Sequence, residues 1–188
     1  GRCNFTNSLA TPGSYYSQNP HFPISALSRY SSADFIALVD RYGINYHEKK
    51  LGQLFCNGSS SQIVDLLLNE CNQVLVDIWT SCSVSRVEHT ETGFDVTTTR
   101  GQVSSASLVV ATGGLSIPKM GASGFAHKLA RYFGIRVVET RPALVPLTFG
   151  QPSLQLFNSL AGVSLDSIVT CGGASWRENI LFTHRGLS

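Results

Sequence analysis

Charge is scarce in this chain. Of its 188 residues only 14% are charged, and the formal net charge is +2. Soluble domains usually carry about a quarter, so the deficit points to mostly buried elements. The small positive excess is not gathered into a cluster, and the electrostatic footprint of a nucleic-acid binder is therefore missing. No apolar run approaches the ~18 residues of a bilayer span. No Gly-x-Ser-x-Gly occurs, which removes the nucleophile elbow of an α/β hydrolase. The five cysteines, Cys3, Cys56, Cys71, Cys82 and Cys171, hold no Cys-x-x-Cys spacing. Neither a zinc site nor a disulfide framework is indicated, and reduced thiols in the cytoplasm are the expectation. Asn4-Phe5-Thr6 and Asn57-Gly58-Ser59 match the glycosylation sequon, but nothing else suggests secretion. His21, His47, His89 and His127 lack metal spacing. An initiator Met is also missing, and both ends read as the middle of something, so a piece of a longer protein is expected.

What the chain does have is 43% hydrophobic residues, enough for a sizeable core. Its focus is the stretch 108–121. There a short apolar run, Leu108-Val109-Val110, ends abruptly in Ala111-Thr112-Gly113-Gly114. Such a run suits a strand buried on both faces of a parallel sheet. The glycines let the backbone turn sharply and let a ligand come close. Ligands of open α/β sheets lie beyond the carboxyl ends of the strands.

Residues 1–30 read as a long ordered loop anchored by Tyr15, Tyr16, Phe22 and Tyr30. A helix over about 33–42 follows, capped by Ser31 or Ser32, with Phe35, Leu38, Val39 and Tyr42 on one face. Short strands are predicted at 44–48 and 53–56, a helix at 61–72 and a strand at 74–79. A three-stranded meander begins with strands at 83–89 and 94–99. Then come the 108–112 strand, a helix marked by Phe125, Leu129, Ala130 and Phe133, and a strand at 135–139. Strands at 144–149, 162–170 and 180–183 make the end β-rich. The fold class is α/β with a mixed sheet. A composition shift near Phe149-Gly150 suggests one domain over 1–148 and the start of another over 149–188.

Five motifs occur in order: Gly1-Arg2-Cys3-Asn4-Phe5-Thr6-Asn7, Gly52-Gln53-Leu54-Phe55-Cys56, the 108–121 stretch, Arg141-Pro142-Ala143-Leu144-Val145-Pro146-Leu147, and residues 182–188. Together they resemble the YhiN/BaiN-type flavoprotein family of NAD(P)/FAD-dependent oxidoreductases, over essentially the whole chain. The resemblance implies part of a FAD-binding two-dinucleotide, Rossmann-like fold with a β-meander crossover, followed by the start of a β-rich inserted domain. It implies that Gly1, Arg2, Cys3 and Asn4 lie along FAD, that the Val84 backbone meets the adenine, and that Ala111, Thr112, Gly113 and Gly114 pass close to the dinucleotide. It also implies that the Gly-x-Gly-x-x-Gly turn lies upstream of residue 1 and a closing glycine-rich segment downstream of residue 188. The fragment alone should then bind FAD poorly and be inactive. This chain has Gly134-Ile135 where some relatives carry Gly-His, so no catalytic role is assigned there.

Each motif has a plainer reading. Thr112-Gly113-Gly114 can be an ordinary strand-to-loop turn, and Gly121-Ala122-Ser123-Gly124 a turn with an N-cap rather than an anion site. Lys119 can be solvated. Cys3 lacks a thiol partner close in sequence and reads as a small buried thiol. His184 can face a flavin or hold a turn. The first functional reading is two-electron transfer through a flavin, with a nicotinamide cofactor or oxygen as electron partner and a small molecule as substrate. Neither a nucleic acid nor a membrane is expected as partner. The alternative is a non-catalytic α/β domain that acts in protein contact. No catalytic residue can be named, and no metal is expected.

Overall fold

The computed structural model describes residues 3–118, 121–143 and 145–188. Two compact units emerge, one formed by residues 1–86 and 96–103, the other by 87–95 and 104–188.

The first unit is built where local signals are strong. Ser31 caps α2 (Ser32–Arg41): its hydroxyl accepts the Asp34 N–H at 3.3 Å, and the Asp34 carboxylate accepts the Ser31 N–H at 2.7 Å. This reciprocal box satisfies two donors that a helix start leaves bare. The apolar face of α2 meets α3 (Ser61–Gln73) and a three-stranded sheet ordered β1 (Asn4–Asn7), β3 (Gln53–Cys56), β2 (Tyr46–Glu48). Val39, Ile44, Cys56, Ile63 and Leu66 form its core, with Val39 at 0% and Leu66 at 1% exposure. Phe5 packs edge-on against Phe35 and Tyr46 at 6.0 and 5.4 Å between ring centroids. The Tyr42 hydroxyl donates to Glu70 at 2.8 Å and ties α2 to α3. The N-terminal 30 residues are more structured than a loop, since they hold β1 and the short helix α1 (Ile24–Arg29).

The meander β4 (Val84–Thr90), β5 (Gly93–Thr98), β6 (Gly101–Ser105) forms as predicted. In the second unit α4 (Phe125–Tyr132) sets Phe133 against Phe94 of the meander at 6.1 Å. The final sheet runs β7 (Leu147–Thr148), β10 (Gly186–Leu187), β9 (Ala174–Thr183), β8 (Ser164–Cys171). Its hairpin turns on Gly172 and Gly173, both at positive φ, as a two-residue turn of the I′ kind demands. A helix not anticipated from sequence, α5 (Gln151–Phe157), places Phe157 at 5.6 Å from both Phe149 and Phe182.

Three predicted strands do not form. Residues 74–79, 108–112 and 135–139 carry no strand assignment. Their side chains suit a sheet, but a strand also needs a neighbour for its peptide groups, and none pairs with them among the described residues. Val76, Val109 and Val138 stand 49%, 86% and 47% exposed. The predicted 144–149 strand shortens to β7, and Leu144 lies outside the described residues.

Candidate functional site

The 108–118 segment lies in the second unit and carries no strand. The expectation that it is a buried parallel strand is therefore corrected, for want of a pairing neighbour. Its turn chemistry survives. Gly113 adopts φ +67°, the left-handed region open to glycine, and the place a side chain would take is empty to 4 Å. At Gly114 a Cβ would come within 3.7 Å of the His127 ring on α4, an ordinary contact. Ala111, Thr112 and Gly113 are exposed and Gly114 is half-buried. The turn is thus open to solvent over residues 111–113.

Two of the sequence motifs meet just beyond it. Leu115, Ser116 and Ile117 line a cavity of about 590 Å³ with Thr140, Arg141, Pro142 and Ala143. That volume lies in the usual range for small-molecule sites. Arg141 donates to Glu139 at 3.0 Å, and both side chains are exposed. The wall therefore offers one guanidinium, two hydroxyls and apolar surface, a set suited to a polar or anionic group carried on an apolar body. A second cavity of about 560 Å³ lies among Phe94, Leu108, Val110, Phe133 and Ile135, with His89 and His127 also in its lining. Its lining is almost wholly apolar.

At the start of α4 the N-cap is Gly124, without a side-chain cap, rather than Ser123; the Phe125 N–H donates to the Ser123 hydroxyl at 3.3 Å as a turn bond. His184 is exposed in the turn between β9 and β10, where the Thr183 hydroxyl donates to the Gly186 carbonyl at 3.1 Å. Lys119 lies outside the described residues.

Of the other predicted cofactor residues, Cys3, Asn4 and Val84 belong to the first unit. Gly1 and Arg2 lie outside the described residues. Asn4 opens β1 opposite Phe55. Val84 opens β4 and is 39% exposed. The Cys3 carbonyl accepts the Cys56 N–H at 3.2 Å. Burial, and the neighbouring Cys3 after it, push the Cys56 thiol up. Sequence reasoning missed Cys56 as the neighbour of Cys3. The alternating pattern of β3 was the only signal for it, and that pattern does not name a partner strand. Cys82 shifts the other way: hydrogen bonds, chiefly from Thr98, favour its thiolate. No cluster of metal-binding side chains occurs among the described residues, and none of their helices is long and apolar enough to cross a membrane.

Comparison with known proteins sets these features in a family. The model of the HI0933-like protein Rossmann domain matches residues 1–180. A ribosomal RNA dihydrouridine synthase of Escherichia coli K12 is 51% identical over 189 residues, covering 100% of this chain and 47% of that protein. A protein of the same name from Haemophilus influenzae Rd is 45% identical over 193 residues, covering 100% of this chain and 48% of its own length. A 3-dehydro-bile acid delta(4,6)-reductase of Clostridium scindens is 24% identical over 170 residues, or 90% of this chain and 41% of the relative. The chain spans about half the length of the curated relatives it matches. The Rossmann-like character expected from the motifs agrees with this match, and the chain belongs to the HI0933-like Rossmann-domain family.

Proposed function

We propose that this chain is part of a FAD-dependent oxidoreductase that reduces a carbon–carbon double bond in a ring. The observation that carries the proposal is the open turn at Gly113, followed shortly by Leu115, Ser116 and Ile117, which share a cavity with the Arg141-Pro142-Ala143 motif. A dinucleotide needs backbone it can approach closely, and a Cβ at residue 113 would meet nothing of the protein. On this reading Ala111, Thr112, Gly113 and Gly114 lie along the cofactor in the second unit. Gly1, Arg2, Cys3, Asn4 and Val84 are the further residues proposed to hold it. Bound FAD would supply two-electron transfer, with NAD(P)H as the donor. The chain's own part is to hold the dinucleotide and keep water from it.

The substrate follows from the relatives' names. Two of them are named for making dihydrouridine in ribosomal RNA, and the third for reducing a bile acid derivative. Greater identity to the first two favours a uracil ring as substrate, ahead of a small unsaturated carbonyl compound. The net charge of +2 is too small to track a phosphate backbone, so RNA contacts would come from sequence outside this chain.

We further propose that the cofactor domain covers 1–148 and that 149–188 begins an inserted domain. The second unit supports incompleteness. Val87 is its one buried hydrophobic residue among those described. Strands from outside these residues would pair with 108–112 and cover its valines, and this piece alone would be inactive.

The test is anaerobic reduction of the FAD-loaded protein, extended to its relatives' length. NADPH should bleach the flavin, and ribosomal RNA lacking the modification should restore its colour and gain dihydrouridine. Restoration by an unsaturated steroid ketone and not by RNA would select the small-molecule reading. Failure to retain flavin at all would favour a non-catalytic domain that acts in protein contact.

A further inference from the structure

The β1–β3 register pairs Asn4 with Phe55, which sets Cys3 directly opposite Cys56, and the hydrogen bond from the Cys56 N–H to the Cys3 carbonyl joins the two residues. Opposed residues of an antiparallel pair carry their side chains on one face, with Cβ atoms about 4.5–5.5 Å apart. The Cys56 N–H bond makes this a hydrogen-bonded pair, the wider kind, so closing a disulfide at roughly 3.5–4.5 Å takes a shift of about one to two ångströms. Both cysteines are free thiols. Their accessibilities differ: Cys56 is 6% exposed, while Cys3 is half-buried and within reach of solvent.

We propose that Cys3 and Cys56 form a cross-strand dithiol which a low-molecular-weight disulfide, such as glutathione disulfide, converts to an internal disulfide. The thiolate of Cys3 attacks one sulfur of glutathione disulfide. A bond forms between Cys3 Sγ and that sulfur, the glutathione S–S bond breaks, and one glutathione thiolate leaves. Cys56, once deprotonated, attacks Cys3 Sγ and expels the second glutathione. Two protein thiols are oxidised, one glutathione disulfide is reduced to two glutathione thiols, and the two protein protons end on them. Burial keeps Cys56 protonated and shielded, so it serves as the resolving thiol and Cys3 as the entry point. The bond would clamp the chain before β1 onto β3. On the flavin reading above, that is the loop lying along the cofactor, so oxidation would alter cofactor binding there.

The test reads the bond itself and so does not depend on flavin. The protein is treated with glutathione disulfide, free thiols are alkylated, and a glutamate-specific protease is applied. Cleavage after Glu48 and Glu70 leaves Cys3 and Cys56 each as the sole cysteine of its peptide. The expected result is a peptide pair linked through these two residues, with the count of reactive thiols lower by two. Cys56→Ser should instead accumulate a mixed glutathione disulfide on Cys3, and Cys3→Ser should leave Cys56 unmodified. A persistent mixed disulfide on Cys3 in the unsubstituted protein, a bond from Cys56 to Cys71 or Cys82, or alkylation of both thiols would each overturn the proposal.

Discussion

Substituting Gly114 separates the effect on fold from the effect on ligand. A Cβ there would sit 3.7 and 3.8 Å from two atoms of the His127 ring, in ordinary contact. Gly114→Ala should therefore change stability by no more than about 0.5 kcal/mol. Gly113→Ala meets no atom but must hold φ +67°, which costs an L-residue roughly 1–2 kcal/mol. Both proteins should still fold. A dinucleotide packed on this backbone would meet the new methyl group as overpacking, which typically costs about 1–3 kcal/mol. FAD affinity should then fall roughly five- to 150-fold, and further for Gly114→Val. Thermal unfolding monitors the fold, and quenching of FAD fluorescence on titration gives the affinity, both on the protein at its relatives' length. Unchanged affinity in Gly113→Ala and Gly114→Val, with the fold intact, would refute the placement of the cofactor.

Two further outcomes test the first unit. Leu66→Ala removes a side chain that is 1% exposed in the α2–α3 core and should cost about 2–5 kcal/mol in urea unfolding; a cost under 1 kcal/mol would show that the cluster is not a core. The Asp34 pKa is lowered, first by the Ser31 hydroxyl and then by the Ser31 N–H. Its contribution to stability is therefore present above the ordinary carboxylate value of 3.8 and is lost as pH falls through the lower folded value; Asp34→Asn should flatten that acid limb in a stability–pH titration, and an unaltered limb would count against the cap.

What could be read from sequence was what neighbours along the chain decide. The cap at Ser31 or Ser32 and the Phe35, Leu38, Val39, Tyr42 stripe are set within one or two helical turns, and α2 lies where they put it, with Ser31 as the cap. The meander was legible because its strands adjoin in sequence. Residues 108–112 have the composition of a buried strand, yet composition cannot supply the partner that would make one. In α5, Gly150 and Pro152 resemble turn chemistry but serve as the N-cap and the first helical turn. The opposition of Cys3 and Cys56 depends on a pairing between distant segments, which no local pattern encodes. The Gly113 turn was legible because its backbone demand shows directly as glycine.

The central claim is that this family member carries FAD along the 111–114 turn. The most direct measurement is an absorbance scan from the near ultraviolet through the visible, after reconstitution with FAD and removal of free cofactor. It should be made on this chain and on the protein extended to its relatives' length. Flavin bands are expected in the extended protein, and their loss in Gly113→Val/Gly114→Val. An extended, folded protein without flavin bands would contradict the claim.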